Sequence, residues 1–513
     1  MLHPLLRLAS FTLTLALPGV AAAETFHVAP GGDDDAPGSS AAPFATPAGC
    51  FEAMAPGDTC LFESGRWDGP APRRYYPRWN ACEGPRGTPG APTIYAAAPG
   101  ATPVFESFGI SGTDGHGECH DIEVRGLTTT ESFLVWSAAR VRVTECEMSG
   151  GMDRDGNWSA VRVERVEDLM FDHNWVGDLA DCPGCREQAL VTVFTTSRAV
   201  FEHNTLDATR GVRPQFGALM LKDSPIDQHV RFNLVLGHHI LGSNQNADGR
   251  EGRDLRIYGN VVIGGSIQSW VRTLDTSIHH NTIVRGALIA DGSHSPGLRM
   301  FGNVVTETTH NVVIEESYWA GLPEIFLDHN VYSGDAEYVA DRYGDSQREL
   351  SSLSTWRDAL RGGGCVGCEE SSVELDCAFV PGPDTDFHVA GGPCASAGPD
   401  GGEAGAYALT SCVGHLCTDP PVETDAGVGG LDSGVPEPGS PRDGGTVDPM
   451  DPPDAMQPPD AMDPMDAGAS SAVGAGCSTT ARADAPHPSP IVLGLALACF
   501  ALIRRGRRTA DAR

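Results

Sequence analysis

Lys222 is the residue of this sequence best suited to proton chemistry. It is the only lysine in the chain, and the other 34 of the 35 Lys and Arg residues are arginines. An arginine stays charged, but a partly desolvated lysine can lose its proton near neutral pH and act as a base. We therefore interpret Lys222 as a general base. The alternative, a surface lysine that persists by chance, stays open at this point.

The residues around Lys222 alternate between apolar and polar types. In the run from Ala218 to Asp223, inward placement of Leu219 and Leu221 turns Lys222 outward. In later segments the same alternation turns outward His239, Ser243, Arg272 and Asp291, with His294 just beyond. Strands stacked about 4.8 Å apart would place Lys222 and Arg272, two strands apart, about 10 Å from each other. That spacing suits a groove crossed by an extended polymer.

A strand that ends in an asparagine turn repeats through the middle of the chain. An apolar residue, two variable residues and an asparagine recur seven times, at spacings from 21 residues (281 minus 260) to 30 (204 minus 174). The asparagines are Asn174, Asn204, Asn233, Asn260, Asn281, Asn303 and Asn330. The pattern predicts a parallel β-helix in which each asparagine adopts a left-handed turn conformation and bonds to the next one. Seven consecutive matches disfavour the alternative, turns of an all-β sandwich.

The segment from His27 to Phe62 carries a family resemblance. It reads HVAPGGDDDAPGSSAAPFATPAGCFEAMAPGDTCLF and is similar to the N-terminal cap of the pectate-lyase-like superfamily. The resemblance implies an all-β, right-handed parallel β-helix whose apolar core is covered at one end by a cap. The segment from Asp386 to Tyr407 is similar to the closing segment of many secreted β-helix proteins. We expect the cap and first coils in 24–120, the repeats in 121–340 and a C-terminal capping region in 341–411.

The coil that carries Lys222 resembles the catalytic-lysine coil of the chondroitinase B and alginate lyase family. The resemblance rests on the run from Leu221 to Ser224 that leads into Val230 to Asn233. It implies β-elimination on a uronate polysaccharide, in which a lysine removes the proton α to the carboxylate, a cation such as Ca²⁺ stabilises the enolate, and an arginine assists the leaving oxygen. The family places that arginine in the following coil beside a histidine, where this sequence has His239 and no arginine.

The resemblance and the alternation together give a set of expected site residues. The catalytic residues are Lys222, Arg272 and His239. The substrate-binding residues are Arg250, Arg253, Asp291 and His294. The ligands for calcium are Glu187, Asp223 and Asp227. We expect the partner to be a polysaccharide and the protein to be a monomer.

Two other functions are open on the sequence. A glycoside hydrolase needs two carboxylic acids about 5 to 9.5 Å apart, and Asp291, Glu315 and Glu316 lie on neighbouring outer faces. The other class is a non-catalytic surface protein that binds glycan or another cell. The basic and aromatic stretch 66–79 could hold an acidic sugar chain by stacking and charge pairing, or pack over the cap with its arginines in solvent.

Both termini predict export. Residues 1–23 read as a secretory signal, with an early arginine, an apolar stretch and a small-residue cleavage site. Residues 412–475 are rich in Pro, Asp, Gly, Ala and Met and predict a disordered acidic linker. Residues 476–513, with Cys477, the apolar run 491–503 and an arginine cluster, resemble the MYXO-CTERM sorting tail of myxobacterial surface proteins. That resemblance implies attachment to the cell envelope through Cys477, and a plain membrane anchor is the alternative.

Charge and cysteine content fit an exported protein. The net charge of −33 argues against nucleic acid as a partner. Thirteen of the 15 cysteines precede Cys477, which predicts disulfides with one thiol left over, and we expect that thiol to be Cys146, at the asparagine position of an earlier coil. The Cys182/Cys185 and Cys365/Cys368 pairs predict disulfides, with a zinc site as the alternative.

Overall fold

The computed structural model describes residues 23–69, 77–112, 119–154, 157–185, 187–223, 225–243, 252–270, 273–291, 296–344, 347–380 and 387–417. They form an all-β, right-handed parallel β-helix, which confirms the fold class predicted from the repeats. The predicted signal, acidic linker and sorting tail lie outside these residues. Within the described part of the chain, no helix is long and apolar enough to cross a membrane.

Each coil contributes strands to three parallel sheets. Sheet 1 leads into the asparagine turns, sheet 2 follows those turns, and sheet 3 carries Lys222. The strands of sheet 1 are Thr25–Val28, Thr59–Phe62, Thr93–Ala97, Cys119–Arg125, Ser197–Glu202, Ile226–Arg231, Gly252–Tyr258, Thr273–Leu274, Ser277–His279, Arg299–Phe301 and Phe326–Asp328. The strands of sheet 2 are Gly65–Trp67, Glu147–Gly150, Trp175–Leu179, Thr205–Gly211, Leu234–Leu236, Val261–Ile263, Thr282–Val284, Val304–Thr306, Val331–Tyr332 and Val373–Glu374.

Sheet 3 is the face on which the expected site lies. Its strands are Trp79–Asn80, Glu187–Phe194, Gly217–Lys222, Ile240–Ser243, Ile267–Trp270, Leu288–Asp291, His310–Glu315 and Glu337–Arg342. Three long strands turn corners and serve more than one sheet, namely Pro103–Ser111, Thr128–Thr144 and Asn157–Asp172. Two short strands pair antiparallel at the edge of sheet 3, namely Met152–Arg154 and Arg348–Leu350.

Short helices lie against the first and last coils. In helix Pro47–Ala53, the Thr46 side chain caps the first turn and Phe51 packs on Tyr95 at 5.0 Å between ring centroids. In helix Leu353–Gly362, the buried Trp356 stacks on Tyr338 at 5.5 Å. The remaining helical turns are Ala81–Glu83, Glu316–Trp319, Leu322–Glu324, Pro393–Ser396, Pro399–Gly401 and Ala406–Ala408.

The seven repeated asparagines form a buried hydrogen-bonded ladder. In each interior rung, the backbone N–H and the side-chain amide of one asparagine both donate to the Oδ1 of the next, as from Asn204 to Asn233 at 2.9 and 3.0 Å. The same amide also donates to the carbonyl of the preceding coil, as from Asn233 to Phe201 at 2.8 Å. Every rung is at most 1% exposed, so the ladder satisfies polar groups that water cannot reach.

The left-handed backbone of this turn belongs to the residue before each asparagine, not to the asparagine. The preceding residues are His173, His203, Phe232, Gly259, His280, Gly302 and His329, with φ between 51° and 65°. The expectation that asparagine itself takes the left-handed conformation is therefore wrong. Because the asparagine side chain must point inward to reach the next rung, the tighter bend falls one residue earlier.

Two of the disulfides, Cys182–Cys185 and Cys365–Cys368, are the pairs that the sequence predicts, whereas it leaves the partners of the other cysteines open. The disulfides are Cys50–Cys60, Cys82–Cys119, Cys182–Cys185, Cys365–Cys368, Cys377–Cys394 and Cys412–Cys417. Cys146 is the free thiol of the described residues, and it is buried at the end of the asparagine ladder. Its backbone N–H donates to Asn174 Oδ1 at 3.0 Å, and burial raises the pKa of its thiol to about 12.

Substituting Cys146→Asn is expected to stabilise the fold by about 1 kcal/mol, because it adds one rung to the ladder. In the ladder geometry the new side-chain amide would donate to Asn174 Oδ1, as the Asn174 amide donates to Asn204 Oδ1 at 3.1 Å. The midpoint of urea unfolding measures the change. A Cys146→Ala protein is the matched control, and an asparagine variant no more stable than the alanine variant would contradict the prediction.

The chain after helix Leu353–Gly362 returns along the outer face of sheet 2. Gly405 N–H donates to Gly302 O at 2.8 Å, and Gly414 N–H donates to Phe232 O at 3.0 Å. Val304 and Val331 are buried beneath this segment. Most of the expected capping region therefore lies along the side of the β-helix, against sheet 2.

Candidate functional site

Lys222 lies on the outer face of sheet 3, at the end of strand Gly217–Lys222. It is in register with Phe194, and Phe194 is in register with Glu164 one coil earlier. The inward residues beside this row, Val163, Val193 and Leu221, are at most 1% exposed, so the apolar core fixes the direction of Lys222. Its Nζ donates to Asn157 Oδ1 at 3.4 Å and lies 5.4 Å from the centroid of the Phe194 ring. Only 3% of Lys222 is exposed.

Arg162 is a second buried cation on the same ring. Its guanidinium lies 4.2 Å from the centroid of Phe194, and its Nε donates to Glu164 Oε2 at 3.0 Å. Like Lys222, it is 3% exposed. Lys222 is therefore not an isolated surface lysine. The two cations, Phe194, Glu164 and Asn157 form one group of side chains, which we call the Lys222 cluster.

Arg162 is not among the site residues predicted from the sequence, although it lies two coils before Lys222 on the same sheet. The signal was present in Val161-Arg162-Val163-Glu164, in which two charged residues alternate with two core residues. That alternation places both charges on the outer face. It does not place them beside Lys222, since their meeting depends on the register between coils two apart.

Beside the Lys222 cluster, the outer face of sheet 3 carries a patch of buried apolar side chains. Met220 and Leu241 pack with Ala189 and Phe216, and the first three are at most 1% exposed. Charges next to such a patch are poorly solvated, so electrostatic interactions there are stronger than in water. A lysine and an arginine in this setting can abstract a proton and neutralise an anion, provided that a substrate carboxylate reaches them.

His239 lies at a corner of the coil, away from Lys222. Its carbonyl accepts a hydrogen bond from Ala218 N–H at 2.9 Å, four residues before Lys222 and about 13 Å along the strand. Its Nδ1 accepts from Ser266 N–H at 2.8 Å. Burial, with a smaller effect of the Arg213 cation, lowers the pKa of His239 to about 4. The structure thus bonds this neutral histidine to the next coil and does not bring it to the Lys222 cluster.

The other expected residues are distributed around the coils. Arg253 is exposed beside Asp254, at 4.0 Å between charged atoms. The position two coils beyond Lys222 in the same row, which was expected for Arg272, is held by Trp270. Asp291 ends strand Leu288–Asp291 of sheet 3, although its side chain is outside the description. Arg250, Arg272, His294 and Cys477 lie outside the described residues.

The expected calcium ligands do not form a metal site among the described side chains. Asp223 and Asp227 occupy the corner between sheets 3 and 1, both with left-handed backbone, and Asp227 lies 3.5 Å from His229. Glu187 begins a strand of sheet 3, and its side chain is outside the description. Within the described residues, no group of three or more His, Cys, Asp and Glu residues converges. Calcium therefore stays a prediction, and no chemical step below depends on it.

In the described parts of the stretch 66–79, the tryptophans pack in the core and the arginines form ion pairs. Trp67 stacks on Phe105 at 5.3 Å inside the core, and Trp79 is also buried. Arg66 pairs with Asp68, and Arg78 pairs with Glu106, each at 2.7 Å. These contacts favour packing against the first coils over sugar binding for residues 66–69 and 77–79. Residues 70–76 lie outside the description.

Several histidines are buried in the turns of sheet 1, which makes the fold sensitive to acid. Burial lowers the pKa of His280 to about 4, against about 6.5 in an unfolded chain. Between pH 6.5 and 4 the unfolded chain binds a proton at this histidine and the folded chain does not. The free energy of unfolding is therefore highest above pH 6.5 and decreases as the pH falls towards 4. For His280 the loss amounts to about 3 kcal/mol at most.

Replacing His280→Asn is expected to make the fold less sensitive to acid between pH 6.5 and 4. Asparagine tolerates the left-handed backbone at this position, where φ is 51°. Thermal unfolding midpoints at a series of pH values measure the difference from wild type. An unchanged slope of stability against pH would show that His280 does not titrate as its burial predicts. The half-buried residue His310, which lies outside the asparagine turns, provides the control His310→Asn.

Comparisons with known proteins find distant similarity to solved structures. No family model matches the sequence, and no curated protein matches it. Among solved structures, pectate lyase Pel9A is 13% identical, with 61% of this chain and 80% of that chain covered and a TM-score of 0.36. A mannuronic acid specific family 6 lyase from human gut microbiota is 12% identical, with 69% and 92% covered and a TM-score of 0.34. The lacto-N-biosidase of Eubacterium ramulus is 9% identical, with 62% and 67% covered and a TM-score of 0.30. Similarity at this level carries no argument about a site.

Proposed function

We propose that this protein is a polysaccharide lyase that cleaves a uronate glycan by β-elimination at the Lys222 cluster. The observation that carries the proposal is the convergence of Lys222 and Arg162 on the Phe194 ring. A lone lysine in solvent would have favoured an adhesive protein, but Lys222 is buried beside a second cation on an outer face.

In the proposed reaction, the uronate lies across the outer face of sheet 3. The Lys222 amine takes the proton α to the carboxylate, and Arg162 neutralises the charge that develops on the carboxylate oxygens. The bond to the leaving oxygen then breaks, a carbon–carbon double bond forms in the sugar, and the leaving oxygen is protonated from water. Asn157 orients Lys222 through the bond at 3.4 Å, and Glu164 holds Arg162 against the ring at 3.0 Å.

The six disulfides fit an oxidising compartment. We propose on this basis that the protein is exported and acts on polysaccharide outside the cytoplasm. Display at the cell surface through Cys477 is part of the same proposal and rests on the sequence of the tail. Labelling of intact cells with an antibody to the β-helix tests it.

The direct test is ultraviolet absorbance of the unsaturated uronate product. Full-length protein is incubated with polygalacturonate, alginate and chondroitin sulfate, with and without added Ca²⁺. A rise in absorbance on at least one polymer supports β-elimination. A flat trace on all of them, from protein with the circular dichroism of a folded β-helix, would refute the proposal for those substrates and favour the glycan-binding alternative.

A further inference from the structure

The outer face of sheet 1 carries a row of stacked rings that the Lys222 cluster does not use. Tyr258, His279 and Phe301 occupy the same position in three successive coils. The neighbouring rings are nearly parallel, with centroids 4.9 Å apart and interplanar angles of 4° and 8°. All three residues are half-buried, so their edges form a continuous ridge along the β-helix axis. We call these three residues the ring strip.

A row of polar residues runs parallel to the ring strip, two residues earlier in each strand. Arg256, Ser277 and Arg299 are in register in the same three coils. Arg256 is exposed, and no ion pair of Arg256 is found among the described residues. Arg299 lies over the rings of Phe301 and Phe326 at 5.3 and 5.4 Å, so its guanidinium is held against the aromatic ridge.

This cationic and aromatic face is unusual in a chain of net charge −33. Acids flank this face: Asp328 is in register with Phe301 in the next coil, exposed Asp275 lies two residues before Ser277, and Asp254 lies 4.0 Å from Arg253. The outward positions between Arg256 and Arg299 hold no carboxylate, since they are occupied by Ser277 and His279. A ligand bound along this face would therefore meet positive charge and aromatic edges together.

The spacing of the two arginines matches an extended acidic glycan. They are two coils apart, which corresponds to about 10 Å. In an extended 1,4-linked uronate chain, successive sugars are turned about the chain axis, so the carboxylates of every second residue face the same side. One sugar per coil would then bring alternate carboxylates to Arg256 and Arg299, with the apolar side of the sugar rings along the ring strip. Arginine binds carboxylates by paired hydrogen bonds, which suits this role.

We propose that the ring strip with Arg256 and Arg299 is a non-catalytic binding site for an acidic, uronate-bearing glycan. The class of ligand rests on the proposed function, but the site is on a different sheet from Lys222. It would hold a long polymer on the protein while another part of the chain is cleaved on sheet 3. Two contacts with one polymer raise the effective affinity for long chains over short ones.

The experiment measures binding without turnover, in full-length protein carrying Lys222→Arg. Isothermal titration with polygalacturonate and alginate is performed with and without Arg256→Ala and Arg299→Ala. We expect about tenfold weaker binding in the double variant, and partial recovery with Arg256→Lys, which keeps the charge. Arg285→Ala and Arg361→Ala remove exposed arginines elsewhere and are expected to leave the affinity unchanged.

Unchanged affinity in the double variant would overturn the proposed site and leave the rings a packing role only. Equal binding of inorganic polyphosphate, lost in the same variant, would also overturn it, because the face would then be a general polyanion surface. Neutral mannan is expected not to bind. Since no product is measured, absence of lyase activity in the wild type would not affect the result, and the two proposals can fail separately.

Discussion

Replacing Lys222→Arg is expected to reduce the rate of β-elimination by about 10² to 10⁴-fold, because arginine keeps the positive charge but cannot serve as the base. The substitution preserves the cation beside Phe194 and a donor for Asn157, so loss of charge cannot explain the effect. The rate of formation of the unsaturated product is the measurement. Wild-type rate in this variant would exclude Lys222 as the base.

Arg162→Gln tests whether the second cation of the Lys222 cluster takes part in the reaction. Removing a cation that neutralises the developing charge is expected to cost about 10² to 10³-fold in kcat. It also leaves Glu164 without its partner at 3.0 Å, so the free energy of unfolding must be measured in parallel. Glu164→Gln is the matched variant: it perturbs the same ion pair but keeps Arg162, and a much smaller loss of rate is expected. Equal losses in both variants would show that the pair is structural.

The repeats of the sequence predict the β-helix because its order is local and periodic. The asparagine that follows each strand by a fixed offset fixes the register of sheet 1 from coil to coil, and the observed pairing of Phe201, Val230, Ile257 and Ile278 follows that offset. Alternation of apolar and polar residues also gives the outward direction of Lys222. Both features depend only on residues close together in the sequence.

The parts that sequence could not predict depend on contacts between distant residues. Arg162 and Lys222 approach the Phe194 ring from different coils, and no local pattern predicts that convergence. His239 falls at a corner because the chain enters sheet 3 one residue later, at Ile240. The return of the C-terminal segment over sheet 2 depends on Val304 and Val331 being apolar on the outer face, where alternation alone would expect polar residues.

Substituting Asn233→Ala in the middle of the ladder is expected to destabilise the fold by about 3 to 5 kcal/mol. The Asn233 oxygen accepts two bonds from Asn204, and its amide donates to Phe201 O, Arg231 O and Asn260 Oδ1. All of these partners are buried, so the groups left behind cannot be satisfied by water.

Cys146→Ala is the matched control for Asn233→Ala, since both remove a side chain from the same place in the turn. The Cys146 thiol is a weak donor, with contacts at 3.3 Å to Thr144 O and 3.9 Å to Val124 O. Its backbone N–H keeps its bond to Asn174 after substitution. We therefore expect a loss of about 1 kcal/mol or less in urea unfolding of Cys146→Ala. If both variants lost the same stability, the volume of the removed side chain, and not the hydrogen bonds of the amide, would account for the effect of Asn233→Ala.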